Sequence, residues 1–170
     1  MSLPGFSIEP LAPHHRRDDF DCGAPALNDY LRKYARQDMD RGAAIAYVAV
    51  ADAHPSVIAG FYTLAATGVR LQDLPPQTVK KLPRYPLVPA TLLGRLAVER
   101  LHRGRGLGEG LLLDALRRSL DASAAVGSAA VLVDAKDERS AAFYLRYCFT
   151  QFPSQPLRLF LPMKTISLLK

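Results

Sequence analysis

The hexapeptide Arg103-Gly104-Arg105-Gly106-Leu107-Gly108 constrains the fold more than any other stretch of the chain. Before it lies a run of strand character, Thr91 to Glu99. After it the apolar positions Leu111, Leu112, Ala115, Leu116 and Leu120 recur at helical spacing, to about Ser123. A glycine-rich turn from strand to helix suits anion binding. Glycine lets the backbone approach an anion and take positive φ. The N–H groups at the helix start, aided by the helix dipole, then hold phosphate oxygens. Arg103 and Arg105 add charge-assisted hydrogen bonds. A turn built only for tight packing is the competing reading. Two phosphate motifs fail on the residues themselves. A Walker loop ends in Gly-Lys-Ser/Thr, whereas Gly108 is followed by Glu109-Gly110. The dinucleotide fingerprint G-x-G-x-x-G meets Glu109 or Leu111 where its last glycine belongs. What remains is Arg-x-x-Gly-x-Gly at Arg103, Gly106 and Gly108.

The other elements follow from periodicity. Phe6–Pro10 alternates as a first strand. Leu27, Tyr30, Leu31, Tyr34 and Ala35 define the apolar face of a helix from about Pro25 to Met39, with Arg32, Lys33 and Arg36 on its wet side. Ala44–Ala51 and Val57–Ala66 form a hairpin across the turn Asp52-Ala53-His54-Pro55. Leu71–Pro89 is proline-rich and irregular, with a short helix at Thr78–Leu82. A connection of that length inside a compact domain points to function. Ala129–Val133 is a buried strand, Glu138–Tyr147 a helix, and Leu157–Met163 a late strand interrupted by Pro162. The order β-α-β-β-β-α-β-α-β predicts one mixed α/β (α+β) domain over residues 1–170.

Charge and thiols narrow the setting. Lys and Arg number 22 against 16 Asp and Glu, a net +6, which favours an anionic partner over a merely solvated basic surface. Cys22 and Cys148 lie far apart and read as thiols of a reducing compartment. Neither they nor His14, His15, His54 and His102 have metal-ligand spacing, so no metal is expected. His14 and His15 read as solvated residues of a polar loop. Asp134 and Glu138 read as a helix-start signal, not a catalytic base. No basic leader and no run of about 18 apolar residues is present, so a cytoplasmic protein with no membrane partner is expected.

With the strand before it and the helix after it, the Arg103–Gly108 turn resembles the signature of the GNAT N-acetyltransferases. That resemblance implies a mixed, mostly antiparallel central sheet splayed between strands 4 and 5 and flanked by helices. It also implies acetyl-CoA as co-substrate. The pyrophosphate would lie on Arg103, Gly104, Arg105, Gly106, Leu107, Gly108 and Glu109, and the pantetheine arm would pair with Leu96, Ala97 and Val98. The segment Ser140-Ala141-Ala142-Phe143-Tyr144-Leu145-Arg146-Tyr147-Cys148-Phe149 is similar to the family's later helix. By that likeness Ser140, Phe143 and Tyr144 flank the coenzyme, and Tyr144 serves the departing sulfur. Read as residues alone, Tyr144 is a half-buried core aromatic. Cys148 stands where the family has Gly, which bears on the turn after the helix.

The acceptor is read from charge. Arg16, Arg17, Arg32, Lys33, Arg36, Lys80, Lys81, Arg84 and Arg95 suit a polyanion. Five segments are similar to the toxin branch of the GNAT family: Phe20-Asp21-Cys22-Gly23, Leu27–Leu31, Leu82–Pro89, Leu93–Val98 and Leu159–Met163. That branch acetylates the α-amine of aminoacyl-tRNA. The resemblance implies charged tRNA as acceptor, a ribbon-helix-helix antitoxin as partner, and a homodimer. Arg32, Lys33, Arg36, Lys80, Lys81, Arg84 and Arg95 become the tRNA-contact candidates. An α-amine titrates near ~7.7–8.0, so no strong protein base is needed. Two readings compete: an acetyltransferase for a protein or small-molecule amine, and a non-catalytic coenzyme- or nucleic-acid-binding module.

Overall fold

The computed structural model describes residues 3–169. Its strands are β1 (Phe6–Pro10), β2 (Ile45–Ala51), β3 (His54–Arg70), β4 (Leu87–Val98), β5 (Ala130–Asp134), β6 (Thr150–Phe152) and β7 (Gln155–Pro162). Its α-helices are α1 (Pro25–Asp29), α2 (Ala35–Asp40), α3 (Pro76–Val79), α4 (Leu107–Ser123), α5 (Glu138–Leu145) and α6 (Met163–Ser167), with a π-helical turn Tyr30–Tyr34 joining α1 to α2. The strands hydrogen-bond in the order β1-β2-β3-β4-β5-β7-β6. The β1–β2, β2–β3, β5–β7 and β6–β7 pairs are antiparallel, and β4–β5 is parallel. That is the expected mixed sheet. β5 pairs in parallel with Thr91–Leu93 of β4, and β4 runs on to Val98 beyond that pairing.

Several boundaries moved. β3 is longer than expected, and the hairpin turn shrinks to Asp52 and Ala53. A 3-10 turn, Arg100–His102, separates β4 from the glycine turn. β6 and α6 were not anticipated: three residues carry too little alternation to be seen. α6 begins after Pro162, whose fixed φ suits the residue ahead of a helix.

Two compact units can be described, Met1–Ala65 with Arg95–Ala115, and Ala66–Gly94 with Leu116–Lys170. In the first, Phe20, Tyr30, Leu31, Val48, Ile58 and Phe61 form the core. The π-helical turn decides its surface. Ala35 N–H reaches the Tyr30 carbonyl, five residues back, so the turn holds one residue more than an α-turn. Tyr30, Leu31 and Ala35 stay buried. Tyr34, expected on the apolar face, is rotated out and is 52% exposed. Another position hidden from sequence reading is Gly60. A Cβ there would stand 3.0 Å from the Ala97 carbonyl oxygen and 2.9 Å from Leu111 Cδ1, so its absence seats the start of α4 against β3 and β4.

His14 and His15 correct the solvated-loop expectation in part. His14 is exposed, but His15 is buried. Its Nδ1 accepts the Ala12 N–H at 2.9 Å, and its Nε2 lies 3.5 Å from Glu9 Oε2. Burial, then the neighbouring His14, depresses its pKa. Glu9, His14 and His15 bring three ligand-type atoms within 4.8 Å of one another. An Nδ1 that accepts from Ala12 puts the His15 proton on Nε2, which removes the lone pair a metal would need there.

In the second unit, Val69, Leu74, Ala90, Leu132, Phe152 and Phe160 form the core. The connection through α3 lies over it, with Leu71, Val79 and Leu82 packed inward. An apolar cavity of about 20 Å³ remains between Leu74, Leu82, Val88 and Phe160, little more than one water-sized sphere. No helix among the described residues is long and apolar enough to cross a membrane.

Candidate active site

The glycine turn has the backbone its composition requires. Gly104 and Gly106 both sit in the left-handed region, at φ +79 and +75. A Cβ added to either would meet nothing within 4 Å, so conformation rather than crowding demands glycine there. The open space leaves room for an anion over the exposed start of α4. Leu107 is buried and pins the first helical residue, while Gly106 and Glu109 stay exposed. At Gly108 a Cβ would lie 3.7 Å from Val98 Cγ2, an ordinary contact. The residues therefore fit a diphosphate group.

The two arginines divide. Arg105 is exposed in the turn. Arg103 donates through Nη2 to the Cys22 carbonyl. That carbonyl belongs to a loop with its own network. The Asp21 carboxylate accepts Gly23 N–H at 2.8 Å and Asn28 Nδ2 at 3.0 Å, Asn28 Oδ1 accepts Cys22 N–H at 2.9 Å, and Arg100 pairs with Asp21 at 3.4 Å. These bonds, Gly23 foremost, hold the Asp21 carboxyl below its ordinary pKa. The Phe20–Gly23 segment thus braces the residues that lead into the turn. Sequence reasoning had it only as a family likeness. The turn-forming pair Asp21 and Gly23 is its one local signal. Glu99 accepts Leu101 N–H at 2.8 Å and caps the intervening 3-10 turn, with His102 Nδ1 3.3 Å away. His102 is half-buried and packs edge-on against Phe6.

Leu96, Ala97 and Val98 lie on β4 past its last pair with β5. Arg95, a tRNA candidate from sequence, is half-buried and lies over the Tyr30 ring, with its Cζ 3.5 Å from the centroid. Tyr30 donates to Asp38 at 2.7 Å, and burial followed by that bond raises its pKa to about 12. Arg32 and Lys33 are exposed and lie 3.1 and 4.0 Å from Asp29, and Arg36 is half-buried.

In the second unit, α5 is started by Asp137, whose carboxylate accepts Ser140 N–H at 2.8 Å. The cap is therefore Asp137, not Asp134, which pairs with Arg158 at 3.3 Å. Tyr144 is 8% exposed and packs against Phe143 and Phe149, with ring centroids at 5.2 and 5.4 Å. Burial alone pushes its pKa far above the ordinary phenol value, so at neutral pH it is a neutral O–H donor.

The turn after α5 answers the question raised by Cys148. Its φ is +72, the conformation a glycine would take. Cys148 N–H donates to the Leu145 carbonyl and Phe149 N–H to the Tyr144 carbonyl, both at 3.4 Å. With the Phe149–Tyr144 ring contact, these make a Schellman closure. The closure positions Tyr144, and it forms with cysteine at a strained position. Cys148→Gly is expected to stabilise the protein by about 1 kcal/mol, raising Tm by a few degrees with acetyl transfer unchanged. Thermal denaturation of the two proteins checks this, and an unchanged or lower Tm would refute the strain.

No protein-family model matches the chain. A tRNA-acetylating toxin of Mycobacterium tuberculosis is 40% identical over 145 residues, covering 85% of this chain and 84% of that protein. The structure of AtaT complexed with acetyl-methionyl-tRNAfMet superposes with TM-score 0.89 at 31% identity, covering 96% of this chain and 98% of AtaT. A tyrosine-to-phenylalanine mutant of the toxin AtaT, bound to acetyl-CoA and the C-terminus of the antitoxin AtaR, gives TM-score 0.81 at 27% identity, covering 97% and 98%.

Proposed function

Because the chain belongs to the tRNA-acetylating toxins of the GNAT type, we propose that it moves the acetyl group of acetyl-CoA to the α-amine of an aminoacyl-tRNA and so blocks translation. The observation that carries this reading is the Arg103–Gly108 turn, with two left-handed glycines opening space at the start of α4. Gly104, Arg105, Gly106, Leu107, Gly108 and Glu109 hold the pyrophosphate there, and Arg103 fixes the turn against the Cys22 loop. Leu96, Ala97 and Val98 pair with the pantetheine arm. Ser140 and Phe143 line its thioester end.

Acetyl-CoA supplies the thioester. The amine nitrogen bonds to the acetyl carbon, the carbon–sulfur bond breaks, and the amine proton leaves to solvent. Tyr144 donates a hydrogen bond to the sulfur as charge builds there. A phenol with a raised pKa is a poor proton donor to a thiolate near ~8.5, but a durable hydrogen-bond donor, so stabilisation without full proton transfer suits it better. Arg32, Lys33, Arg36, Lys80, Lys81, Arg84 and Arg95 meet phosphates of the acceptor. The likeness of the branch also supports a homodimer, a single domain over 1–170, a ribbon-helix-helix antitoxin and a cytoplasmic setting.

Incubation with labelled acetyl-CoA and total charged tRNA tests the reading. Label is expected on charged tRNA, released as acetyl-amino acid on mild alkaline deacylation. Label that stays on the deacylated tRNA, or appears only on protein, would sink it.

A further inference from the structure

We infer that Tyr85 is a stacking platform for an unpaired base at the 3′ end of the acceptor RNA, an inference that deepens the proposed function and rests on it. The argument starts from how the 80–86 segment is built. Its inner side is anchored. Leu82 packs on the core of the second unit, and Leu71 N–H donates to the Pro86 carbonyl at 3.4 Å. Its outer side shows Lys80, Lys81, Arg84 and Tyr85, all exposed. Among the described residues the three cations have no carboxylate partner, and the Tyr85 ring, 65% exposed, has no aromatic or cationic neighbour. Other exposed cations of the chain, such as Arg32, Arg70 and Arg100, lie beside an Asp.

Pro83 and Pro86 flank the pair Arg84-Tyr85, each with a fixed φ, and Pro86 also restricts Tyr85 ahead of it. The ring is thus displayed on a stiff segment, so little ordering is lost when something stacks on it. A flat ring between cations matches single-stranded nucleic acid, where phosphates meet the charges and a base meets the ring. A duplex stem offers phosphates alone, because its bases already stack on one another. In charged RNA the aminoacyl ester sits on the terminal ribose, beside bases without partners. That end is the occupant these residues fit.

The chain contains no tryptophan, so Tyr85→Trp adds one indole that reports its own stacking. A short single-stranded oligoribonucleotide is expected to quench it, and a blunt RNA hairpin is not. Tyr85→Ala should weaken oligonucleotide binding and raise KM for charged tRNA by about 5- to 100-fold, while Tyr85→Phe retains both. The salt dependence of binding should be unchanged in Tyr85→Ala and shallower in Lys80→Ala. An indole that stays bright, or is quenched equally by the hairpin, overturns the inference. Quenching by an acidic peptide and not by the oligoribonucleotide also overturns it, in favour of a protein partner. A wild-type enzyme that acetylates charged tRNA, with Tyr85→Ala at the same KM, sinks the inference and leaves the proposed function standing. A wild-type enzyme that leaves charged tRNA unmodified sinks the function, and the quenching titration still decides whether Tyr85 stacks.

Discussion

Gly106→Val is expected to abolish measurable acetyl-CoA binding, while Gly108→Ala leaves it intact. The two glycines are neighbours in the same signature, but the structure separates their roles. Gly106 has φ +75 and faces open space. A side chain there pays about 1–2 kcal/mol for the left-handed backbone, and a β-branched one pays more. If the turn keeps its shape, that strain lowers stability and leaves affinity untouched. If the free turn relaxes, its N–H groups no longer converge, and restoring them on binding corresponds to about a 5- to 30-fold loss of affinity. Either way the added methyls occupy the space left for the diphosphate. Gly108 lies inside α4 with no positive φ, and its added Cβ meets only Val98 Cγ2 at 3.7 Å. Alanine there should strengthen the helix by up to about 1 kcal/mol. Calorimetric titration of acetyl-CoA into both variants checks the contrast. Equal binding by the two would show that the turn does not hold the nucleotide.

Tyr144→Phe should lower kcat by about 100- to 1,000-fold, the usual effect of removing one preorganised donor from a developing anion. KM for acetyl-CoA should barely move, because the hydroxyl acts only as charge grows on sulfur. The fold should persist, since phenylalanine fills the same place between Phe143 and Phe149. The pH profile separates this role from a packing role. Burial raises the Tyr144 pKa, so the wild-type rate should climb as the acceptor amine loses its proton and then hold past pH ~10, the ordinary phenol value. The same shift affects stability with a definite sign. The unfolded phenol ionises first, so this contribution is complete below pH ~10 and is lost above it, and Tyr144→Phe should reduce that loss. A variant with wild-type kcat would remove Tyr144 from the mechanism.

Much of the part that carries the glycine turn was legible in the sequence because its signals are local. Arg103, Gly106 and Gly108 are spaced by the turn they make. The α4 face repeats at 3.6 residues, and α4 spans Leu107–Ser123 as its apolar positions imply. β1 alternates at period two, β2 is a continuous apolar run, and both fall within a residue of expectation. Local signals fail where an element is short, as in β6, or where the helical period is broken. The π-helical turn at Tyr30–Tyr34 inserts one residue, and that was enough to put Tyr34 on the wrong face.

The sequence by itself determined the fold class, the glycine-rich turn from strand to helix, and the excess of positive charge. These depend on near neighbours and on totals, which a one-dimensional pattern carries. Tertiary structure alone decided that Arg103 reaches the Cys22 carbonyl, 81 positions away, and that Arg95 lies on Tyr30. It alone decided that His15 is buried, that Gly60 must lack a side chain, and that Cys148 takes a glycine's conformation. Each of those outcomes depends on which groups folding brings within a few ångströms, and short-range contact and desolvation leave no periodic trace along the chain.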